Sequence, residues 1–151
     1  MKQLIVFTGL LLVFSGFVFY QGDMGRYARA QTSLKALAEE CAAGAALYYD
    51  EAEYSLGRMV FNQGEGRRYI DRALEAASLS QDIGARSPIA CEVSFFDDDT
   101  GYGPAGGAYA LPGRPSVLVR LSVETEDIFR LPFLSVTRVA REAMYELPGR
   151  T

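Results

Sequence analysis

The sequence predicts an α+β chain: a long N-terminal helix, transmembrane at its start, packs further along against a small antiparallel sheet of two to three strands, beside a short second helix. Three observations carry this. Residues 4–20 form an uncharged apolar run, a helical stripe continues beyond it, and two strand-like segments flank a loop rich in Gly and Pro.

Residues 4–20 read LIVFTGLLLVFSGFVFY, with Thr8, Ser15 and two glycines as the only interruptions. At 1.5 Å rise per residue the run spans about 25 Å, at the short end for a membrane helix and longer than the apolar part of most signal peptides. Leu4, Ile5, Phe7, Leu11, Phe14, Phe17 and Phe19 leave the helix no polar face with which to live in water. Phe19, Tyr20 and Gln21 stand where a signal peptidase wants small residues, and the triplet Ala28-Arg29-Ala30 lies well beyond the run. The segment therefore reads as an uncleaved anchor. Residues 1–22 are expected to lie in the membrane and residues 23–151 to form one extracytoplasmic domain. Lys2 on one side against Asp23, Arg26 and Arg29 on the other sets orientation only weakly, and the N-terminus is placed in the cytoplasm.

The helical pattern continues past the anchor. Tyr27, Leu34, Leu37, Cys41, Ala45 and Tyr48 recur at spacings of seven, three, four, four and three, which is one stripe of a helix. One helix of about 45 residues, some 70 Å long, follows. Ala42-Ala43-Gly44-Ala45-Ala46 is small on every side, so another backbone can come close there, either in a helix–sheet contact or between helices. The expected packing positions are Leu34, Leu37, Gly44 and Ala45.

After Asp50 the pattern breaks at Gly57, Gly64 and Gly66, in a turn-rich connection. It resumes at Tyr69, Ile70, Ala73, Leu74 and Ala77 as a short helix. Residues 89–96, IACEVSFF, read as a strand that ends at Asp97-Asp98-Asp99. Residues 100–115 hold five glycines and three prolines, so no regular element persists there. The region from Asp97, Asp98 and Asp99 through Tyr102 and Tyr109 to Pro115 is expected to be the most exposed part of the domain. Residues 117–123, VLVRLSV, make a second strand antiparallel to the first. Residues 134–147 are ambiguous: Val136, Val139, Ala140, Ala143, Met144 and Leu147 fit a helix, whereas composition, the preceding Pro132 and the sheet's need for a third strand favour an edge strand.

Charge and chemistry exclude several functions. The formal charge is −4, more negative still beyond Lys2, which is the wrong sign for a nucleic-acid partner. With no His in the chain, Ser/His/Asp and Cys/His catalysis and most zinc sites are excluded, and no phosphate-binding loop motif is present. Asp97-Asp98-Asp99 lacks the alternating ligands and the twelfth-position Glu of a calcium loop, so it reads as a solvated turn. No catalytic residue, metal or cofactor is expected. Cys41 and Cys91 are expected to form a disulfide in an oxidising compartment, worth about 3–4 kcal/mol if unstrained, with two buried free thiols as the alternative.

Residues 21–50, QGDMGRYARAQTSLKALAEECAAGAALYYD, resemble the TadE/TadG-like pilins of tight-adherence pili, through Asp23 near the membrane exit, the Arg26-aromatic step, Gln31, Leu34 and the alanine-rich 42–46. Residues 117–147 resemble the strand-rich C-terminal part of those proteins, which favours a strand over 134–147. Type IV-like prepilins carry a basic leader ending in Gly and a Glu five residues into the mature chain. Here Ile5 stands at that place with no leader before the run, which also admits a minor, unprocessed or pseudopilin-like subunit. The resemblance implies a structural subunit that stores its apolar helix in the bilayer and packs it against copies of itself or other pilins in an extracellular filament for surface attachment. The alternative from another class is a monomeric membrane-tethered domain that binds a partner through the 97–115 loop.

Overall fold

The computed structural model describes residues 2–79, 88–102, 114–129 and 134–147. Its elements, in chain order, are α1 (Lys2–Ala46), α2 (Glu51–Ser55), α3 (Gln63–Leu79), β1 (Ala90–Phe96), β2 (Ser116–Glu124) and β3 (Arg138–Glu146). The fold is α+β: one long N-terminal helix, two short helices and a three-stranded antiparallel sheet in the order β1-β2-β3.

α1 is unbroken for 45 residues and contains no Pro. Its buried positions begin at Asp23 and continue through Ala30, Leu34, Leu37, Ala38, Cys41, Ala42 and Ala45, a stripe at helical spacing that packs on β2, β3 and α3. The helix ends at Ala46, where the Leu47 and Tyr48 amides reach back three residues to the carbonyls of Gly44 and Ala45.

The connection holds more order than its glycines suggest. Asp50 caps α2, its Oδ1 accepting from the Ala52 amide at 2.8 Å and the Glu53 amide at 3.3 Å. The sequence signal is Asp50 followed three residues later by Glu53, the spacing of a capping box. Gly57, at φ 90°, then turns the chain out of α2 through the left-handed region. Asn62 caps α3, accepting from the Glu65 amide at 3.2 Å through its side chain and from the Gly66 amide at 2.9 Å through its carbonyl. Gly64 and Gly66, expected to lie in a turn, are instead in the first turn of α3. Gly66 serves closeness: a Cβ there would stand 3.1 Å from the Phe95 ring and 3.4 Å from the Ala45 carbonyl oxygen.

β2 is the middle strand, and Val117, Val119, Leu121 and Val123 on its inner face are all at most 1% exposed. The register sets Val119 between Val93 and Ala143, and Leu121 between Cys91 and Arg141. Residues 134–137 are irregular and 138–146 are strand, because β2 needs a partner on its second edge and period-two burial of Val139, Arg141 and Ala143 supplies it.

The expected Cys41–Cys91 bond is absent, and both side chains are free thiols. Burial, then the charges of Cys91 and Glu40, push the Cys41 thiol up to about 12. Burial, then Asp71, raises Cys91 against the opposing pull of Arg67. Both residues serve as small apolar groups, Cys41 in the core around α1 and Cys91 packed against it.

Gly44 fixes how closely α3 approaches α1, since a Cβ there would lie 2.0 Å from the Tyr69 ring. Gly44→Val should lower stability by about 1–3 kcal/mol in a denaturant titration of the full chain in detergent. Gly25→Ala, where nothing lies within 4 Å, should be neutral or stabilising by up to about 1 kcal/mol. Equal stability for Gly44→Val and the parent would contradict this packing.

Candidate assembly and membrane helix

The first half of α1 leaves the domain as a bare apolar rod. Leu4, Ile5, Phe7, Leu11, Phe14, Phe17 and Phe19 are each more than half exposed. Among the described residues α1 is the one helix long and apolar enough to cross a membrane, and none of that apolar stretch is covered by the rest of the molecule. Keeping seven such side chains in water would cost roughly 10–20 kcal/mol at 1.5–3 kcal/mol each, as much as the whole stability of a typical domain. This half of the helix needs an apolar surrounding. Its polar atoms suit one: the helix satisfies its own backbone, and Ser15 donates its hydroxyl to the Leu11 carbonyl at 2.8 Å.

A collar grips the helix where it leaves the domain. Asp23, 2% exposed, accepts a charged hydrogen bond from Arg26, and the same Arg26 nitrogen donates to the Ile128 carbonyl at 3.3 Å. The Phe129 ring lies 6.1 Å from Tyr20 and 6.0 Å from Tyr27, centre to centre. The collar loop is itself pinned: the Ile128 amide donates to the Val136 carbonyl at 3.2 Å, and Asp127 accepts from the amides of Val136 at 3.0 Å and Phe129 at 3.2 Å. Hydrogen bonds from Val136, then Ser135, hold the Asp127 carboxyl below its ordinary range against burial and the charge of Asp23. Ile128, Phe129 and Asp127 escaped the sequence reading. The usable signal was Asp23, the first acid of the chain, which falls on the buried stripe three residues before Arg26.

Leu34, Leu37, Gly44 and Ala45 all lie on the buried side of α1, facing the domain's own sheet and α3. The three aspartates differ from one another. Asp97, expected on an exposed loop, is fully buried. It closes the turn after β1, accepting from the amides of Asp99 at 3.1 Å and Thr100 at 2.7 Å and from the Thr100 hydroxyl at 2.7 Å. Its other oxygen accepts from the Phe61 amide at 2.9 Å, which ties the turn to the start of α3. Gly101, at φ 84°, completes the turn. Asp98 is exposed yet engaged, accepting from the Met59 amide at 2.7 Å and the Tyr102 hydroxyl at 2.7 Å. Asp99 is exposed. Burial, then the bond to Asp98, pushes the Tyr102 hydroxyl to about 12. Tyr109, with 103–113 around it, and Pro132 lie outside the described residues.

In comparison with known proteins, no family model, no curated protein and no solved structure matches the chain.

The Asp97 turn gives a pH-dependent test. Burial raises this carboxyl, but its hydrogen bonds from Thr100, Phe61 and Asp99 outweigh that and hold it below the ordinary 3.8. A lowered value stabilises the fold above the unfolded-state value and is lost as pH falls through the folded-state one, hence below about pH 4. Asp97→Asn sets an amide donor against one of these amides and should cost about 1–3 kcal/mol at pH 7. The gap to the parent should narrow below pH 4. Equal stability at pH 7, or a gap that does not change with acid, would contradict the assignment.

Proposed function

We propose that this chain is a structural subunit of a pilin-like filament. It is held in the membrane by residues 4–20 before assembly and joined to its neighbours through the same residues afterwards. One observation carries the reading: an all-round apolar helix stands uncovered outside the domain and continues without a break into the helix on which the domain is built. Such a helix loses little on passing from lipid to a bundle of like helices, because both surroundings are apolar, and small residues such as Gly9 and Gly16 set how closely helices approach.

The resemblance of residues 21–50 to TadE/TadG-like pilins supports the same reading, as does a collar that stiffens the helix where it leaves the domain. In this reading the N-terminus faces the cytoplasm, the domain lies outside it, the role is structural rather than catalytic, and surface attachment belongs to the assembled filament. A monomer tethered by the same helix is the competing reading, and self-association separates the two.

Leu11 sits in the middle of the run, where an acid costs about 2.5–3.5 kcal/mol on insertion scales, roughly a hundredfold in partition. Leu11→Asp should remove the protein from the membrane fraction or abolish filaments seen by electron microscopy of sheared cell surfaces. Cells that make filaments from the parent chain and equally many from this variant would refute the proposal. Membrane-bound protein that stays monomeric by cross-linking in cells producing the complete assembly apparatus would favour the tethered monomer.

A further inference from the structure

The sheet ends in a strand whose outer edge no described residue pairs with. At the two ends of the β2–β3 ladder, the Thr125 amide donates to the Thr137 carbonyl and the Leu147 amide to the Pro115 carbonyl, both at 2.9 Å. Antiparallel pairing alternates, so odd-numbered residues of β3 bond to β2. The amides and carbonyls of Arg138, Ala140, Glu142, Met144 and Glu146 therefore point away from the sheet. An open cleft of about 780 Å³ adjoins this strand; Gln31, Thr32 and Lys35 of α1 line one side, and Arg120, Arg141 and Glu142 of the sheet line the other. The lining carries three cations and one carboxylate, on a chain that is acidic overall.

Arg141 is the unusual member. It sits on the core-facing side of β3, opposite the fully buried Leu121, and donates to the neutral Gln31 side chain. Among the described residues no carboxylate pairs with it, whereas Arg120 holds Glu142 at 3.0 Å and Glu92 at 3.4 Å, and Lys35 lies 3.6 Å from Glu39. A guanidinium offers five donors in a planar fork that matches a carboxylate.

We infer that β3 and this cleft form an interaction surface that takes an extended segment of another protein as a fourth strand, with an acidic side chain of that segment meeting Arg141. Strand addition draws its affinity from main-chain bonds and its specificity from alternate side chains. The residue facing Arg141 is Asp or Glu. Those two places before and after it, facing Val139 and Ala143, are apolar, which gives the pattern apolar-x-acid-x-apolar. An inward charge also blunts an edge against unwanted pairing, so Arg141 rejects strands that bring no acid.

A second copy is the wrong occupant. The other sheet edge, β1, carries Cys91, Val93 and Phe95 on its core face, and β3 carries Val139, Arg141, Ala143 and Tyr145. Edge-to-edge pairing of this sheet with itself thus puts no carboxylate opposite Arg141. The inference stands whether or not the chain forms filaments.

The test uses the full chain in detergent and a fluorescent capped peptide, Thr-Val-Thr-Glu-Thr-Val-Thr, read by anisotropy. Saturable binding is expected, at least tenfold weaker when the peptide's Glu is replaced by Gln, and at least tenfold weaker for Arg141→Gln with the Glu peptide. Arg141→Lys should fall between. Ala140→Pro removes an outward amide that bonds nothing within the sheet, so it should abolish binding while leaving the circular dichroism melt within a few degrees of the parent. No saturable binding by the parent, equal binding of the Glu and Gln peptides, or full binding by a folded Ala140→Pro chain would each overturn the inference.

Discussion

On the proposed reading, α1 satisfies two solvents with one backbone. From Leu4 to Phe19 its large apolar side chains are half or more exposed on every side, and from Asp23 onward one stripe is sealed beneath a sheet. A helix makes this crossing cheaply because its hydrogen bonds are internal, so the change of surroundings falls on side chains alone. On the proposed membrane reading the crossing needs a fixed level, and the buried Asp23 marks it. A carboxylate in hydrocarbon is costly, whereas here it is buried in protein beside Arg26, which also binds the Ile128 carbonyl. The domain thus begins where the apolar stretch ends, with no slack between them, and the Phe129 ring between Tyr20 and Tyr27 closes the joint.

The rest of the fold follows from how thin the domain is. A single three-stranded sheet has little core of its own, so β2 brings four buried aliphatic side chains into the core it shares with α1. Gly44 and Gly66 let α3 and Phe95 approach closely enough to close the remaining side. The turns between these elements are held by short polar side chains bonded to backbone amides: Asp50 before α2, Asn62 before α3, Asp97 after β1 and Asp127 in the collar. Each does at a loop what a longer element does by its own ladder.

The architecture was legible because its signals are long and periodic. Seventeen uncharged residues and a stripe from Tyr27 to Tyr48, whose last member falls just past the helix end at Ala46, fix α1, and two runs of apolar and aromatic residues fix β1 and β2. What escaped depends on contacts distant in sequence. Asp97 looks like a solvated turn until Phe61, 36 residues away, donates to it. Gly64 and Gly66 read as breakers until Asn62 caps the helix that contains them. Residues 134–147 fitted a helix by spacing and a strand by composition, and β2's need for a second neighbour decides for the strand. The even pair of cysteines suggested a disulfide, yet both are free thiols. Arg141 was one more arginine on a mixed-charge chain until the register placed it on the inner face of an edge strand.

The central claim is that one unbroken helix passes from lipid to water at the level of Asp23. Spin labels placed singly at Val6, Leu10, Val13, Phe17, Gln21 and Ala28, in a background with Cys41 and Cys91 replaced by alanine, report it directly in liposomes through their accessibility to oxygen and to a water-soluble relaxant. The account predicts high oxygen accessibility and low water accessibility along this stripe of the helix from Val6 to Phe17, a crossover near Gln21, and high water accessibility at Ala28. High water accessibility at Leu10 and Val13, or loss of helical order between Phe17 and Ala28, would contradict it.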